Sequence, residues 1–145
     1  AKIQFYQNYS SGFYVDPNCC YLIMKSLNLK RTMYLTEDEI RDNAKVILGF
    51  DEKDPDVKQG TGQITTFNQL GFKGVSDKPD GWYLPNDKQD IAIILETKSE
   101  KEDVFSEKHY AELVKNIEIA ALQYKRVVGI LYNGTDVRVI RKRTI

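Results

Sequence analysis

The chain is 145 residues long with 21 basic and 21 acidic side chains, a formal net charge of zero. Its length suits one domain with its own core, and the charge balance excludes the bulk basic field that marks many nucleic-acid binders, though not a clustered basic face. At 41% hydrophobic it is ordinary globular material, and no apolar run approaches the roughly 20 residues that cross a bilayer, so no membrane partner is expected.

Residues 1–35 form a tyrosine-rich extension with apolar stretches at Phe13-Tyr14-Val15 and Cys20–Met24. Ala1–Phe5 lacks a charged segment followed by an apolar one, so nothing there indicates secretion. Pro17-Asn18 reads as a helix start, giving a short helix over Cys19–Leu27. Mixed aromatic spacing favours packing material over a platform for stacking bases. The adjacent Cys19 and Cys20 are poorly placed to bridge each other and too few for a disulfide framework, which points to a reducing cytoplasm.

Thr36-Glu37-Asp38-Glu39 has the form of a capping box, opening a helix that Gly49 ends. Ile40, Ala44, Ile47 and Leu48 make its apolar stripe. Residues 51–62, with Asp51, Asp54-Pro55-Asp56 and Gly60-Thr61-Gly62, read as a surface loop without the ligand spacing of a calcium-binding hand. Gln63–Phe67 alternates polar and apolar residues as a first strand would. Trp82-Tyr83-Leu84 and Ile91–Leu95 are runs of strand character joined by the turn-forming Pro85–Lys88, hence a hairpin.

A helix follows over Glu107–Tyr124, capped by Ser106, with Tyr110, Leu113, Val114, Ile117, Ala120, Ala121 and Tyr124 on one side. His109 lies in its first turn with no second histidine or cysteine at a ligand interval, so a solvated histidine is expected rather than zinc. Val127–Tyr132, the turn Asn133-Gly134 and Val137–Ile140 form a second hairpin. Strand 90–98, helix 107–124 and strand 127–132 thus make a βαβ unit. Lys125, Arg126, Arg138, Arg141, Lys142 and Arg143 cluster near the end, either as a phosphate-contacting face or as a solvated edge or linker stub.

The chemistry concentrates on Asp80 and on Glu96-Thr97-Lys98, which closes the second strand of the first hairpin. Alternation along a strand puts Glu96 and Lys98 on one side and Thr97 on the other. Pairing that brings Asp80 beside that end gathers two carboxylates and an ammonium, and carboxylates are the ligands Mg²⁺ prefers.

Pro79-Asp80 followed by Glu96-Thr97-Lys98 after an apolar strand resembles the signature of the PD-(D/E)XK nuclease superfamily, and within it the N-terminal nuclease domains of type I restriction enzyme R subunits. The resemblance implies an α/β, restriction endonuclease-like core, a mixed β-sheet flanked by helices in the order αβββαβ. It covers the 1–145 chain as a single nuclease domain, whole or cut from a longer protein. It further implies a Mg²⁺-dependent endonuclease, with Mn²⁺ as a substitute, acting on double-stranded DNA within a restriction-modification complex. Asp80, Glu96 and Lys98 would be catalytic, and Asp80, Glu96, the Thr97 carbonyl and Glu39 would hold the metal. Glu39 has a competing role as the third residue of its capping box. Some family members carry a glutamine and a tyrosine four residues apart on the second helix, whereas here Gln123 directly precedes Tyr124 and Asn116 is followed four residues on by Ala120, so those roles are not carried over. Two further readings stand beside the nuclease: the same fold used for DNA binding or scaffolding without catalysis, and an unrelated α/β interaction domain with Glu96 and Lys98 as a surface pair.

Overall fold

The computed structural model describes residues 35–144 and, ahead of them, the backbone of two short strands, β1 (Gln7–Asn8) and β2 (Phe13–Tyr14). The helix expected over Cys19–Leu27 lies outside the described residues. From Thr36 the elements run α1 (Glu37–Leu48), β3 (Val57–Thr61), β4 (Gly81–Pro85), β5 (Ala92–Thr97), α2 (Glu107–Ala120), β6 (Arg126–Tyr132) and β7 (Val137–Arg143). They build one mixed sheet in the order β1-β2-β7-β6-β5-β4-β3, in which only β5 and β6 pair in parallel.

Both helices of the described residues start where their caps predict. Thr36 Oγ1 accepts from the Glu39 N–H at 3.2 Å while Glu39 Oε2 accepts from the Thr36 N–H at 2.9 Å, and Gly49 ends α1 at φ 74°. At α2, Ser106 Oγ accepts from the His109 N–H at 3.3 Å. This helix stops at Ala120, four residues before the expected end. Tyr124 lies beyond it, buried, its hydroxyl donating to the Pro85 carbonyl at the base of the β4–β5 hairpin.

Side-chain alternation gives the sheet two apolar faces. Trp82, Leu84, Ala92, Ile94, Val127, Leu131 and Ile140 pack with Leu113, Ile117 and Ala120 of α2. On the other face Leu95, Val128, Ile130, Tyr132, Val137 and Val139 pack with Ile40 and Ala44 of α1. The β5–α2–β6 crossover is tight at Gly129, where a Cβ would run into the Ile117 side chain and come within 3.0 Å of Leu113 Cδ1.

Two expectations are corrected on the way into the sheet. Residues 57–61 are not loop but the edge strand β3, paired from Val57↔Pro85 to Thr61↔Gly81. Gln63–Phe67, expected as a strand, is turn instead, with Ile64 at 82% exposure and Phe67 fully buried. The cause is local: the Thr66 N–H donates to Gln69 Oε1 at 2.8 Å and the Gln69 N–H donates to Thr66 Oγ1 at 3.2 Å, a reciprocal box that turns the chain. Phe67 then meets Phe72 edge-on at 5.5 Å, anchoring the 62–80 connection on the α2 face.

Candidate active site

The site forms at the C-terminal end of β5, where the start of α1 and the middle of α2 approach from opposite faces. Asp80 reaches it because the 62–80 connection is closed by a hydrogen bond from the Gly62 N–H to the Asp80 carbonyl at 2.9 Å. The next residue, Gly81, pairs with Leu95. A Cβ at position 81 would lie 2.8 Å from Leu95 Cδ2, so only glycine allows the strands this close. That register sets Asp80 beside Glu96. Asp80 Oδ2 accepts from the Thr97 N–H at 2.8 Å and from Thr97 Oγ1 at 3.3 Å.

Glu96 is 6% exposed and turned toward α2, where Asn116 Nδ2 donates to its Oε1. Burial, then the charge of Asp80 and a hydrogen bond to the Asp80 carboxyl, push the Glu96 pKa up to about 9, against the opposing pull of Asn116 and Lys98. At neutral pH Glu96 therefore keeps its proton.

Lys98 Nζ does not rest on this pair. It donates to Glu112 Oε2 on α2 at 2.8 Å. Burial pulls the ammonium's pKa down, but the hydrogen bond and charge of Glu112, with the charges of Glu96 and Asp80, outweigh it, and the net shift is upward. Glu112 in turn lies 3.5 Å from His109 Nδ1, and His109 Nε2 lies 3.0 Å from Glu102 Oε2. His109 is thus not the solvated residue expected but a buried one, 6% exposed between two carboxylates.

The helix carboxylate facing the site is Glu37, not Glu39. Glu39 is exposed and committed to its capping box. Glu37 is half-buried, its pKa raised first by burial and next by the charge of Asp80, and lowered in part by Arg41 and Lys98. The structure therefore brings together Asp80, Glu96, Thr97 and Lys98, leaves Glu39 aside, and adds Glu37, Asn116 and Glu112. Gln123 lies elsewhere, donating to the Gly71 carbonyl at 2.8 Å.

The basic residues do not form a single face, one of the two readings the sequence leaves open. Arg138 is 1% exposed and stacks on Tyr110 at 4.3 Å. Lys142 pairs with Glu118 of α2 at 3.3 Å, and Arg126 donates to the Gln89 carbonyl. Strand alternation sends Arg138 and Lys142 to the α2 side and Arg141 and Arg143 to the other.

Among the described residues no group of three or more His, Cys, Asp or Glu is arranged to hold a metal ion. The pair Asp80 and Glu96 nonetheless fits a hard divalent cation, since Mg²⁺ commonly takes one or two protein carboxylates and completes its shell with water and phosphate. Burial, and then the neighbouring Asp80, keep a proton on Glu96 that a bound cation would have to displace. No helix of the described residues is long and apolar enough to cross a membrane. Comparisons with family models, with curated proteins and with solved structures each return no match.

Proposed function

We propose that this chain is a restriction endonuclease-like domain of the PD-(D/E)XK kind, a Mg²⁺-dependent endonuclease cleaving double-stranded DNA in the cytoplasm as part of a restriction-modification complex. The observation carrying the reading is the adjacency of Asp80 and Glu96 at the end of β5, with the Lys98 ammonium two residues on. The element order around them agrees with it.

Asp80, Glu96 and the Thr97 carbonyl would hold the cation. When bound, it would lower the pKa of a water in its shell and neutralise charge on the scissile phosphate. Glu96 must release its proton for that site to form, and Asn116 holds the resulting carboxylate in place. Thr97 orients Asp80 through its N–H and hydroxyl. Lys98, its pKa raised, stays an ammonium at neutral pH, which excludes it as the resting general base. Its role is electrostatic: of three N–H donors one goes to Glu112, and the ammonium orients the attacking water and stabilises charge growing on the phosphate. The water oxygen bonds to phosphorus while the bond to the 3′ oxygen breaks. That oxygen leaves with a proton, giving a 3′-hydroxyl and a 5′-phosphate.

The test is cleavage of supercoiled plasmid by the wild type, Lys98→Ala and Asp80→Asn with Mg²⁺ or Mn²⁺. Nicking by the wild type alone is expected. A wild type inert with both metals, or variants as active as the wild type, refutes the nuclease. One observation favours the fold serving binding or scaffolding without catalysis: Lys98 is neutralised by Glu112 and Glu96 by its proton, a cluster already satisfied. That reading predicts DNA binding without cleavage and no heat of Mn²⁺ binding.

A further inference from the structure

Five carboxylates feel the Lys98 ammonium: Glu37, Asp80, Glu96, Glu102 and Glu112. Asp80 and Glu96 are hydrogen-bonded to each other, and a lysine on the same strand end, which feels both charges, is placed to become their counterion. The ammonium instead hydrogen-bonds Glu112 at 2.8 Å. We propose that Glu112 is a positioning residue that holds Lys98 off the Asp80–Glu96 pair, so that the pair stays open to a divalent cation instead of being closed by the protein's own lysine. The inference deepens the proposed function and rests on the carboxylate pair being a cation site.

The geometry behind it is a match of two repeats. Four residues of helix rise about 6 Å and two residues of strand about 6.6 Å. Glu112 and Asn116 are four apart on α2; Lys98 and Glu96 are two apart along β5 and its extension. Asn116 meets Glu96 and Glu112 meets Lys98, so the helix descends as the strand ascends and each turn addresses one member of the pair. His109 Nδ1 stands 3.5 Å from the same Oε2 that receives Lys98, an approach without a hydrogen bond, and Glu102 fixes the far side of the ring at 3.0 Å. Lys108 also faces Glu102, so the outer end of this chain of charges is balanced too.

The competition can be read without catalysis, by calorimetry of Mn²⁺ binding to the full chain at constant pH. Glu112→Gln keeps the side-chain volume at a partly exposed position and removes the negative charge that draws Lys98, leaving only a neutral acceptor. It should weaken Mn²⁺ binding by roughly tenfold as Lys98 moves onto the carboxylates. In a Lys98→Met background the same change should have almost no effect, because the competitor is gone. Equal weakening in both backgrounds would mean that Glu112 acts only through its distant charge, and unchanged affinity in Glu112→Gln would mean it does not act at all; either overturns the inference. A wild type that binds no Mn²⁺, or an Asp80→Asn variant that binds as well as the wild type, would bring down the cation site itself, a distinct failure. Circular dichroism of each variant checks that the fold persists.

Discussion

Replacing Glu96 by glutamine should stabilise the metal-free protein, and by an amount that depends on pH. The Glu96 carboxyl moves from an ordinary value of 4.5 to about 9 in the folded chain. Below 4.5 both states hold the proton; between the two values the folded chain keeps a proton that the unfolded chain releases, so unfolding gains about 1.4 kcal/mol per pH unit. At pH 7 this amounts to roughly 3 kcal/mol against the fold. Glu96→Gln removes the titration while keeping the geometry, since an amide oxygen still accepts from Asn116 Nδ2 and an amide NH₂ still donates to Asp80. For a chain of this size about 3 kcal/mol corresponds to about 10 °C in Tm. Thermal melts in chelator should therefore coincide for the two proteins near pH 4.5 and separate progressively up to pH 7, the variant melting higher. Adding Mg²⁺ or Mn²⁺ at pH 7 should raise the wild-type Tm and leave the variant where it was. Parallel melting curves at every pH, or equal stabilisation of both proteins by the cation, would refute the account of Glu96 as an acid kept protonated by burial and by its neighbour.

The same proton should govern cation affinity. Below pH 9 each bound cation displaces it, so Mn²⁺ affinity measured by calorimetry should rise about tenfold per pH unit between pH 6 and 8, with close to one proton released in buffers of differing ionisation heat; a flat profile would show that the cation binds elsewhere. Gly129→Ala should cost about 1–3 kcal/mol in urea denaturation, because the added methyl meets Ile117 and Leu113 of α2 and must push the helix that carries Asn116 and Glu112.

The caps, the two helices and the hairpins were legible because each is written in short-range chemistry. Thr36 with Glu39, Ser106 and Asn133-Gly134 announce their turns within four residues. What was missed was a matter of competing signals at the same range. Alternation at Gln63–Phe67 looks like a strand, yet Thr66 and Gln69 stand at capping-box spacing, and the side-chain-to-backbone bonds prevail. Glu39 drew attention as the acid beside the buried stripe, but a residue three after the N-cap is already occupied. Glu37 stands three before Ile40 and seven before Ala44, squarely on the stripe, and that phase is what aims it at Asp80. Asn116 and Glu112 were hidden for a different reason: neither forms a motif alone, and their meaning appears only when a four-residue helical interval is set against the two-residue interval of Glu96 and Lys98. His109 looked solvated because no metal partner was in sight, whereas carboxylates at Glu102 and Glu112 suffice to bury an imidazole.

The position of Asp80 has no local cause at all. It follows from three tertiary constraints, namely the Gly62 bond that closes a long connection, the side-chain-free contact of Gly81 with Leu95, and the Thr97 N–H that Asp80 Oδ2 accepts. None of these removes what raises the Glu96 pKa, which is burial first and the charge of the neighbouring Asp80 second. A fold selected for stability alone would relieve it with a nearby cation, and Lys98 stands within reach. That the lysine is instead drawn to Glu112, on a helix whose preceding turn carries a buried His109 beside it, keeps the ammonium's hydrogen bond off the acid pair. On the proposed reading, the place so left open belongs to a divalent ion, whose charge would take over from the proton on Glu96.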